Sequence, residues 1–588
     1  MVKKLEKWLI KSANSNIASL GQSPNEKILY RIIANRGIEN EAELEEFLNP
    51  SLTRLNDPSL MKDLELGIDI LLQAIDQEKK IRIIGDYDVD GIMSTYILYK
   101  FISKENPSTD YHLPHRIEDG YGISVSMVDK ACADGVDLII TCDNGVSAFD
   151  ALERAREKNI ETIVLDHHEP KIENGSQVLP PATALINPKQ DSCPYPFKGL
   201  CGAAISYKFI EYLAGVLGYE EGEVVRDYLE YAAIATVCDV MDLVGENRII
   251  VSNGLKLLNN TTNIGLKCLI KATGLEEKTL EPYHLGFIIG PLFNASGRLD
   301  SATIGLDLLL AENLNDATQL ARRLKELNQE RTKLTQEALE LFIRDIESNK
   351  YYEDDIIVSY LAGVHQSIAG IVAGRIKEKY NKPTIILTDG DDNIIKGSAR
   401  SIDEYHITDG IAREKDLLLS FGGHKLAAGL SLKKENLEVF RKSINDHSSL
   451  KEEDFYRKVM IDLGLPISFI NFDLINLLDK IGPYGNENPR PIFGGKDLSL
   501  GNFKILGKNK NVLKMTVKEG DTSLDGIMFT RLDEFESALE DKGYSLARLL
   551  VNGADVKADI VYSANINEWG SNKTLQLQIK NFRIKAGE

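Results

Sequence analysis

Three carboxylates stand on alternate residues, Asp86, Asp88 and Asp90, in the run GDYDVDG that follows the apolar run IRII. Like charges this close repel one another and are costly to hold together unless a cation neutralises them. The spacing therefore indicates chemistry that depends on a divalent metal ion.

Two further groups follow apolar runs in the same way. Asp143 comes after the run LII, and Asp166, His167 and His168 come after the run IVL. Acids and histidines at the ends of successive apolar runs are typical of a hard-metal site in an α/β fold, where the carboxyl ends of parallel strands meet.

Two simpler interpretations compete for the first acidic run. Asp-x-Asp-x-Asp-Gly also opens an EF-hand, but that loop needs a bidentate Glu at its twelfth position. Counting from Asp86, the twelfth position is Ile97. Solvated turn acids are the second alternative, since Asp is common in turns. Three such clusters, one of them carrying two histidines, argue against it.

The chain must position these groups with more than one core, because 588 residues predict about three or four domains. Residues 1–70 read as a polar helical segment without a functional signal. From 71 to 310, apolar runs alternate with helical patterns, which predicts a parallel sheet with helices on both faces. Residues 311–348 have apolar residues at helical spacing and no Gly or Pro, which predicts one long connecting helix.

The βα pattern restarts in a smaller unit at 349–450. Residues 455–588 are rich in short strands with turn residues between them, which predicts a small barrel such as an OB-fold. The predicted fold class is therefore α/β: two α/β domains joined by a long helix, followed by a C-terminal β-barrel.

Composition limits where the protein can act and which ligands it can bind. The chain is 43% hydrophobic and 27% charged, which is typical of a globular protein. No apolar run approaches the ~20 residues that span a bilayer, and the N-terminus has no signal-peptide core, so we expect a cytoplasmic protein with no membrane partner. The six cysteines form no CxxC pair, which argues against zinc. The net charge of −20 requires any nucleic-acid contact to use a local group of cations.

The triplet Asp166-His167-His168 is the motif that names the DHH phosphoesterase superfamily, and the chain resembles that superfamily. The runs GDYDVDG, TCDNG, LDHH and TVCD stand in the order that the superfamily uses. The blocks GPLFNASGRLD, IAGIVAGR, KGSARS, FGGHKLAAG and PYGNENPRPIF resemble those of the RecJ family, the bacterial single-strand-specific exonucleases. The resemblance covers nearly the whole chain from about residue 70.

This resemblance implies a DHH domain, a DHHA1 domain and an OB domain, in the order already inferred. It also implies a 5′→3′ exonuclease that degrades single-stranded DNA to 5′-mononucleotides in repair and recombination. The family expectation is a monomer that works with a helicase and a single-strand-binding protein.

Several carboxylates with imidazole nitrogen suit Mn²⁺ or Mg²⁺ better than Zn²⁺. Two such ions about 3.5–4 Å apart can polarise a phosphodiester and activate water. We predict six ligands: Asp86, Asp88, Asp90, Asp143, His167 and Asp239. The resemblance alone supplies Asp239 and makes Asp143 the bridge between the ions. Asp86, Asp143 and His168 are the predicted catalytic residues, with His168 either near the scissile phosphate or orienting a ligand.

Substrate phosphates need a second set of residues. The run KGSARS supplies Ser398, Arg400 and Ser401, because Arg binds phosphate in bidentate fashion. Gly422, Gly423 and His424 come from FGGHKLAAG, where glycine lets the backbone approach closely; by itself, Gly-Gly is more often a turn. The resemblance adds five further contacts: Arg116, Asn294, Arg298, His365 and Arg375. Val364 and Ser367 depart from the family's usual Trp and Gly, which leaves the contact of His365 open.

The C-terminal region has a locally basic stretch with five lysines: Lys504, Lys508, Lys510, Lys514 and Lys518. Four aromatic residues could stack on bases: Phe503, Tyr562, Trp569 and Phe582. Two ordinary alternatives stay open, because edge-strand lysines often serve solubility and barrel aromatics often form the core.

Two other functions compete with the exonuclease. Shorter DHH proteins degrade very short RNAs, cyclic dinucleotides or pyrophosphate, but such substrates would not require the extra β domain. Other relatives are non-enzymatic replication scaffolds that have lost ligands. Here every expected ligand position carries an Asp or a His, which argues for an enzyme.

Overall fold

The computed structural model describes residues 6–13, 15–116, 119–220, 222–507, 510–569 and 572–586. Lys508 and the side chain of Trp569 lie outside the described part. The chain forms two compact units, one of residues 52–457 and one in which residues 6–51 join residues 458–588. Among the described residues, no helix has both the length and the apolar surface needed to cross a membrane.

The N-terminal segment contains a strand and two helices: β1 (Glu6–Ile10), α1 (Pro24–Ala34) and α2 (Glu41–Leu48). Helix α1 begins at a capping box, in which the Ser23 side chain accepts from the Glu26 N–H and the Glu26 side chain accepts from the Ser23 N–H. This arrangement satisfies two N–H groups that the first turn of a helix leaves without partners.

The first α/β domain begins with α3 (Leu64–Asp76), which precedes the strands of its parallel sheet. Its next elements are β2 (Ile81–Ile84), α4 (Val89–Glu105), β3 (Thr109–His112), α5 (Val125–Ala133), β4 (Leu138–Cys142), α6 (Phe149–Glu157), β5 (Glu161–Leu165), β6 (Lys171–Glu173), β7 (Ser176–Val178) and β8 (Ala184–Ile186). Five parallel strands pair in the order β3–β2–β4–β5–β8, while β6 and β7 form a separate hairpin. The winding reverses between β2 and β4, the switch point at which open α/β sheets bind ligands.

Helices complete this domain and bury its apolar faces. They are α7 (Gly202–Leu217), α8 (Glu223–Cys238), α9 (Gly245–Leu258), α10 (Ile264–Thr273), α11 (Pro282–His284), a π-helical turn (Leu285–Ile289), α12 (Gly290–Leu299) and α13 (Thr303–Leu310). Apolar residues of α4, α7 and α8 join those of the sheet in one large core. The end of α8 and the start of α7 thereby come close to the sheet's carboxyl edge.

Helix α14 (Leu314–Ser348) is 35 residues long and connects the two α/β domains. It begins at Asn313, whose side chain accepts from the N–H of Asp316. Its first half contributes Leu324 to the core of the first domain, and its second half contributes Phe342 to a core of the second domain. The helix is therefore held at both ends by apolar packing.

The second α/β domain is smaller and has a mixed sheet. Its elements are β9 (Ile357–Tyr360), α15 (Ala369–Tyr380), β10 (Thr384–Asp389), β11 (Ile394–Arg400), α16 (Ile407–Arg413), β12 (Leu418–His424), β13 (Ala427–Lys433) and α17 (Leu437–Asp446). The strand order is β12–β13–β11–β10–β9, in which only β9 and β10 run parallel.

The C-terminal strands close into a barrel. The elements are β14 (Arg457–Ile461), β15 (Leu463–Gly464), α18 (Phe472–Leu478), β16 (Phe493–Leu506), β17 (Val512–Glu519), β18 (Thr522–Met528), α19 (Leu532–Glu540), α20 (Leu546–Asn552), β19 (Val556–Trp569) and β20 (Asn572–Ile584). The order β16–β17–β18–β20–β19 returns to β16, so five strands form a closed sheet. Apolar residues of α1 and α2 share the barrel's core, and β1 pairs with β14. The predicted fold class is confirmed.

Candidate active site

Seven acidic and imidazole side chains converge at the carboxyl edge of the parallel sheet. Asp86, Asp88 and Asp90 follow β2, Asp143 follows β4, His167 and His168 follow β5, and Asp239 directly follows α8. They form three overlapping groups whose ligand atoms lie within 4.8 Å of one another: Asp86–Asp88–Asp143, Asp90–His167–Asp239 and Asp143–His167–His168. Every side chain that the sequence suggested as a ligand is thus brought to one place.

His167 lies at the centre of the cluster. Its Nε2 is 3.1 Å from Asp143 Oδ1, 3.5 Å from Asp90 Oδ2 and 3.7 Å from Asp239 Oδ2. The Nδ1 atom of His167 and the Oδ2 atom of Asp86 are buried, and neither has a hydrogen-bond partner among the described residues. Buried polar atoms are rarely left in this state in proteins, so these atoms point to a ligand.

The electrostatics of the cluster favour a cation. Burial and the negative charge of Asp88 raise the pKa of Asp86. Burial and the negative charge of Asp90 raise the pKa of Asp143. Burial and the charge of Asp90 raise the pKa of Asp239 to about 8. Burial lowers the pKa of His167 to about 4, so its imidazole is neutral at neutral pH and can donate a lone pair. Carboxylate oxygens with one imidazole nitrogen are donors that Mn²⁺ and Mg²⁺ accept, so these residues fit such ions.

Asp166 holds the two histidines in place. Its Oδ1 accepts from the backbone N–H of His167 at 2.7 Å and of His168 at 3.0 Å, and lies 2.8 Å from His168 Nδ1. Burial alone would lower the pKa of His168, but the hydrogen bond to Asp166 raises it to about 9. Burial likewise opposes the charge of Asp166, yet the bond from His168 lowers the pKa of Asp166 to about 2. The pair is therefore ionised at neutral pH.

Tyr121 makes a second contact with this pair. Its hydroxyl donates to the backbone carbonyl of Asp143 at 2.8 Å and lies 3.1 Å from His168 Nε2. Burial and the charge of Asp143 raise the pKa of Tyr121, so the hydroxyl keeps its proton. Sequence reasoning did not assign this residue, although it stands in the run LPHRIEDGYG that also contains Arg116.

The backbone around the ligands is strained and closely packed. Asp143 has φ 61°, in the left-handed region that non-glycine residues seldom occupy. The N–H groups of Gly202 and Ala203, at the start of α7, donate to the two carboxylate oxygens of Asp90 at 2.7 and 2.8 Å. A side-chain carbon at Gly202 would lie 2.7 Å from Cβ of Asp143, so only glycine lets the helix approach this far. No sequence pattern indicated Gly202.

Arginines lie beside the carboxylates. The guanidinium of Arg116 lies 4.7 Å from the ring centre of Tyr87, which follows Asp86. Arg298, on α12, donates from Nη1 to the backbone carbonyl of Ser367 in the second domain at 2.7 Å. Burial lowers the pKa of Arg298 to about 10, and the positive charge of Arg116 acts in the same direction. The two α/β domains therefore meet at an arginine that itself lacks a carboxylate partner within 4.0 Å among the described residues.

The sheet of the second domain presents the other predicted phosphate contacts together. Across the intervening strand β13, the register places Ser398 level with Gly422, and Arg400 level with His424. Residues level with one another project to the same face of a sheet. Gly423 has φ 150°, and a side-chain carbon there would lie 2.3 Å from a backbone oxygen, so this position requires glycine.

Four other residues that were predicted to contact the substrate lie in different environments from this group. Asn294 Oδ1 accepts from the N–H of Val89 at 3.2 Å, and the buried Ser401 hydroxyl donates to the carbonyl of Tyr405 at 2.7 Å. His365 Nδ1 lies 2.7 Å from Oγ of Ser367, the residue that departs from the family pattern. Arg375 is exposed on α15. Asn294 and Ser401 therefore already have partners within the protein.

In the barrel, the surroundings of the aromatic residues and of two lysines favour core packing and ion pairing over DNA contact. Phe503 and Tyr562 are 3% and 0% exposed and lie in the barrel core, so their rings cannot stack on bases. Phe582 packs edge-on against Phe535 at 4.9 Å. Two of the lysines are paired with carboxylates, Lys514 with Asp525 at 2.7 Å and Lys518 with Asp555 at 3.3 Å. Lys504 and Lys510 are exposed.

Comparisons with known proteins agree with this architecture. The model of the DHH family N-terminal domain matches residues 80–236, that of the DHHA1 domain matches 353–448, and that of the RecJ OB domain matches 461–581. A crystal structure of RecJ from Thermus thermophilus in complex with Mn²⁺ has the same fold: it covers 100% of this chain and 81% of its own, with a TM-score of 0.82 and 24% identity.

Curated relatives match along most of the chain. The single-stranded-DNA-specific exonuclease RecJ of Bacillus subtilis is 33% identical over 95% of this chain and 68% of its own length. The protein of the same name from Haemophilus influenzae is 32% identical over 94% of this chain and 96% of its own length. The chain therefore belongs to the RecJ family of single-stranded-DNA-specific exonucleases.

Proposed function

We propose that this protein is a metal-dependent exonuclease that degrades single-stranded DNA from its 5′ end and releases 5′-mononucleotides. The observation that carries the proposal is a cluster of carboxylates and histidines beside arginines that have no ion-pair partner within 4.0 Å in the described part of the chain. The names of the relatives support the single-strand specificity and the exonuclease activity.

The metal ligands in this proposal are Asp86, Asp88, Asp90, Asp143, His167 and Asp239, for two Mn²⁺ or Mg²⁺ ions. Asp143 and His167 each occur in two of the three overlapping ligand groups, which supports Asp143 as a bridge between the ions. When bound, such ions neutralise phosphate oxygens and activate water as a nucleophile.

The chain's own residues would orient the strand and stabilise its charge. His168, with its pKa raised by Asp166 to about 9, presents a positive ring beside the carboxylates. Positive groups that are already in place where negative charge develops lower the barrier of phosphoryl chemistry. Arg116, Arg400 and Ser398 would bind the terminal 5′ phosphate, which would place the first phosphodiester at the ligand cluster.

The closeness of the two α/β domains supports a preference for single strands. Arg298 of the first domain and Ser367 of the second are within hydrogen-bond distance, and α14 spans both. A passage bounded in this way would admit one strand and exclude a duplex. The barrel unit, which a mononucleotide or dinucleotide substrate would not require, supports a polymeric substrate.

The cellular setting is proposed from the family. The protein would act as a monomer in the cytoplasm, in DNA repair and recombination, on strands exposed by a helicase and in cooperation with a single-strand-binding protein.

One digestion series tests the proposal. Single-stranded and duplex DNA, each labelled at the 5′ or the 3′ end, are incubated with Mn²⁺. We expect 5′-labelled mononucleotides to appear first from the single strand and no early product from blunt duplex. Asp143→Ala is expected to abolish hydrolysis while strand binding persists. Release from the 3′ end, faster cutting of dinucleotides than of long strands, or full activity of Asp143→Ala would contradict the proposal.

A further inference from the structure

The segment that carries Tyr121 is fixed beside two of the strand ends that hold the acids. The N–H of Gly122 donates to Oδ1 of Asp86 at 3.4 Å. The N–H of Ile123 donates to Oδ1 of Asn144 at 3.0 Å. The amide of Asn144 in turn donates to backbone carbonyls at the ends of β2 and β4, at 3.1 and 2.9 Å. Backbone contacts therefore set where Tyr121 stands relative to the carboxylates.

Apolar packing does not explain a tyrosine at this position. The side chain of Tyr121 is 52% exposed. Its ring meets the edges of the Tyr87 and His168 rings, with 6.3 and 5.6 Å between ring centres. A ring exposed to this extent gains little from the burial of apolar surface. The hydroxyl, by contrast, points inward and makes polar contacts, so it is the part of the side chain whose role needs an explanation.

The hydroxyl of Tyr121 joins Asp143 to His168. It donates to the backbone carbonyl of Asp143 at 2.8 Å, and its oxygen lies 3.1 Å from Nε2 and 3.3 Å from Nδ1 of His168. A hydroxyl has one proton, and because this proton is directed to the carbonyl, the lone pairs of the oxygen face the imidazole. Asp143 follows β4 and His168 follows β5, so the hydroxyl connects residues of two different strand ends.

A second contact limits how the imidazole of His168 can move. Its Nδ1 already lies 2.8 Å from Oδ1 of Asp166. One contact of this kind leaves the ring free to swing about it, whereas a further contact from a separate segment removes that freedom. A displacement of about 1 Å at a reacting group can reduce a rate roughly 100-fold, so such restraint matters for catalysis.

We propose that Tyr121 is a positioning residue for phosphodiester hydrolysis, because its hydroxyl holds the imidazole of His168 in a fixed place relative to the backbone of Asp143. This inference rests on the proposed function and extends it, since Tyr121 acts on another side chain and not on the DNA strand. The same hydrogen bond holds the peptide of Asp143, whose φ of 61° is strained.

The kinetic test compares Tyr121→Phe with Tyr212→Phe. The hydroxyl of Tyr212 donates to Glu65 at 3.1 Å, between α7 and α3, so the control also loses one hydrogen bond. On 5′-phosphorylated single-stranded DNA with Mn²⁺, Tyr121→Phe should lower kcat roughly 10–100-fold and leave KM near the wild-type value. Tyr212→Phe should match the wild type in both constants. The unfolding temperature should fall slightly, and to a similar extent, in both variants.

A double-mutant cycle shows whether Tyr121 acts through His168. Rates are measured in single turnovers, with enzyme in excess, for His168→Gln with and without Tyr121→Phe. Residues that act as a unit have effects that do not add. Tyr121→Phe should therefore cause no further loss in the His168→Gln background. A loss by the same factor in both backgrounds, or a rise in KM with kcat unchanged, would overturn the proposal.

An NMR measurement tests the contact without hydrolysis. The Cε1–H signal of the His168 ring, assigned by its absence from the spectrum of His168→Gln, is recorded in EDTA without DNA. Because Tyr121→Phe keeps the aromatic ring, a shift of this signal reports the loss of the hydroxyl. We expect a shift in Tyr121→Phe and none in Tyr212→Phe; an unmoved signal in Tyr121→Phe would overturn the proposal. If the shift is seen but the wild-type chain does not cut DNA, the proposed function alone is contradicted.

Discussion

At the scale of single residues, the ligand cluster combines side chains that follow three strands with one that follows a helix. Asp86, Asp143 and His167 follow apolar runs within three residues, so their spacing alone indicated a shared edge of the sheet. Asp239 follows a helix, and only the resemblance suggested it. Tyr121 could not be found in this way, because its role arises from contacts with residues distant in sequence.

Asp166 offers a direct test of how His168 is controlled. In Asp166→Asn the pKa of His168 should fall from about 9 toward or below its ordinary 6.5, because the negative partner is lost while burial remains. Hydrolysis at neutral pH should slow roughly 10–100-fold, as for other partners that orient site residues. The pKa is measured by NMR titration of the imidazole. Asp69→Asn, which alters an exposed carboxylate on α3, is the control; equal behaviour of both variants would contradict the assignment.

The raised carboxyl pKa values predict how pH affects metal binding. Burial and Asp90 raise the pKa of Asp239 from 3.8 to about 8, so its contribution to stability is full below 3.8 and is lost as pH rises through about 8. A divalent cation takes the place of the protons. Stabilisation by Mn²⁺, measured as the shift in unfolding temperature, should therefore be larger at about pH 8 than at about pH 6. An equal shift at both values would count against the cluster as the binding site.

At the scale of elements, a clear pattern of apolar residues identified helices and strands, and elements without such a pattern were not predicted. The 35-residue helix α14 follows from regular apolar spacing, and the central strands of the parallel sheet follow from short apolar runs. The edge strand β3 has only four residues, TDYH, without an apolar run, so nothing local identified it. Strand β1 is likewise short and partly exposed, and it exists through pairing with β14.

The start of α7 yields a prediction with a matched control on the same helix. Gly202→Ala should lower Mn²⁺ affinity and activity at least about tenfold, because the new carbon would displace Asp143 or the helix, and supporting contacts of a metal site matter to this extent. A carbon at Gly215 meets nothing within 4 Å, so Gly215→Ala should keep activity and gain about 0.5–1 kcal/mol in the free energy of unfolding. Isothermal titration and chemical unfolding measure these effects. Loss of activity in both variants would contradict the close-approach argument.

At the scale of the whole molecule, one association could not be predicted from the sequence. Residues 6–51 form one unit with residues 458–588: Arg36 donates to Asn488 at 2.7 Å, and Asn35 donates to the carbonyl of Asp462 at 2.8 Å. Contacts between segments more than 400 positions apart leave no local pattern. The net charge of −20 is a sum over the whole chain, so it likewise gave no indication of the local group of arginines beside the carboxylates.

This association predicts how truncated chains behave. Removing residues 458–588 alone should expose the apolar faces of α1 and α2, including Ile28 and Ile32, because these faces pack in the barrel core. Removing residues 1–51 as well should restore solubility. Soluble yield and binding of a hydrophobic dye measure the difference. If the chain that retains residues 1–51 were the more soluble of the two, the shared core would be disproved.

We expect six side chains that are distant in sequence to hold two divalent ions together. Anomalous scattering from crystals soaked in Mn²⁺ tests it most directly. We expect two peaks, both lost in Asp143→Ala, enclosed by Asp86, Asp88, Asp90, Asp143, His167 and Asp239. Peaks elsewhere in the molecule, or none among these residues while the crystals remain active, would contradict it.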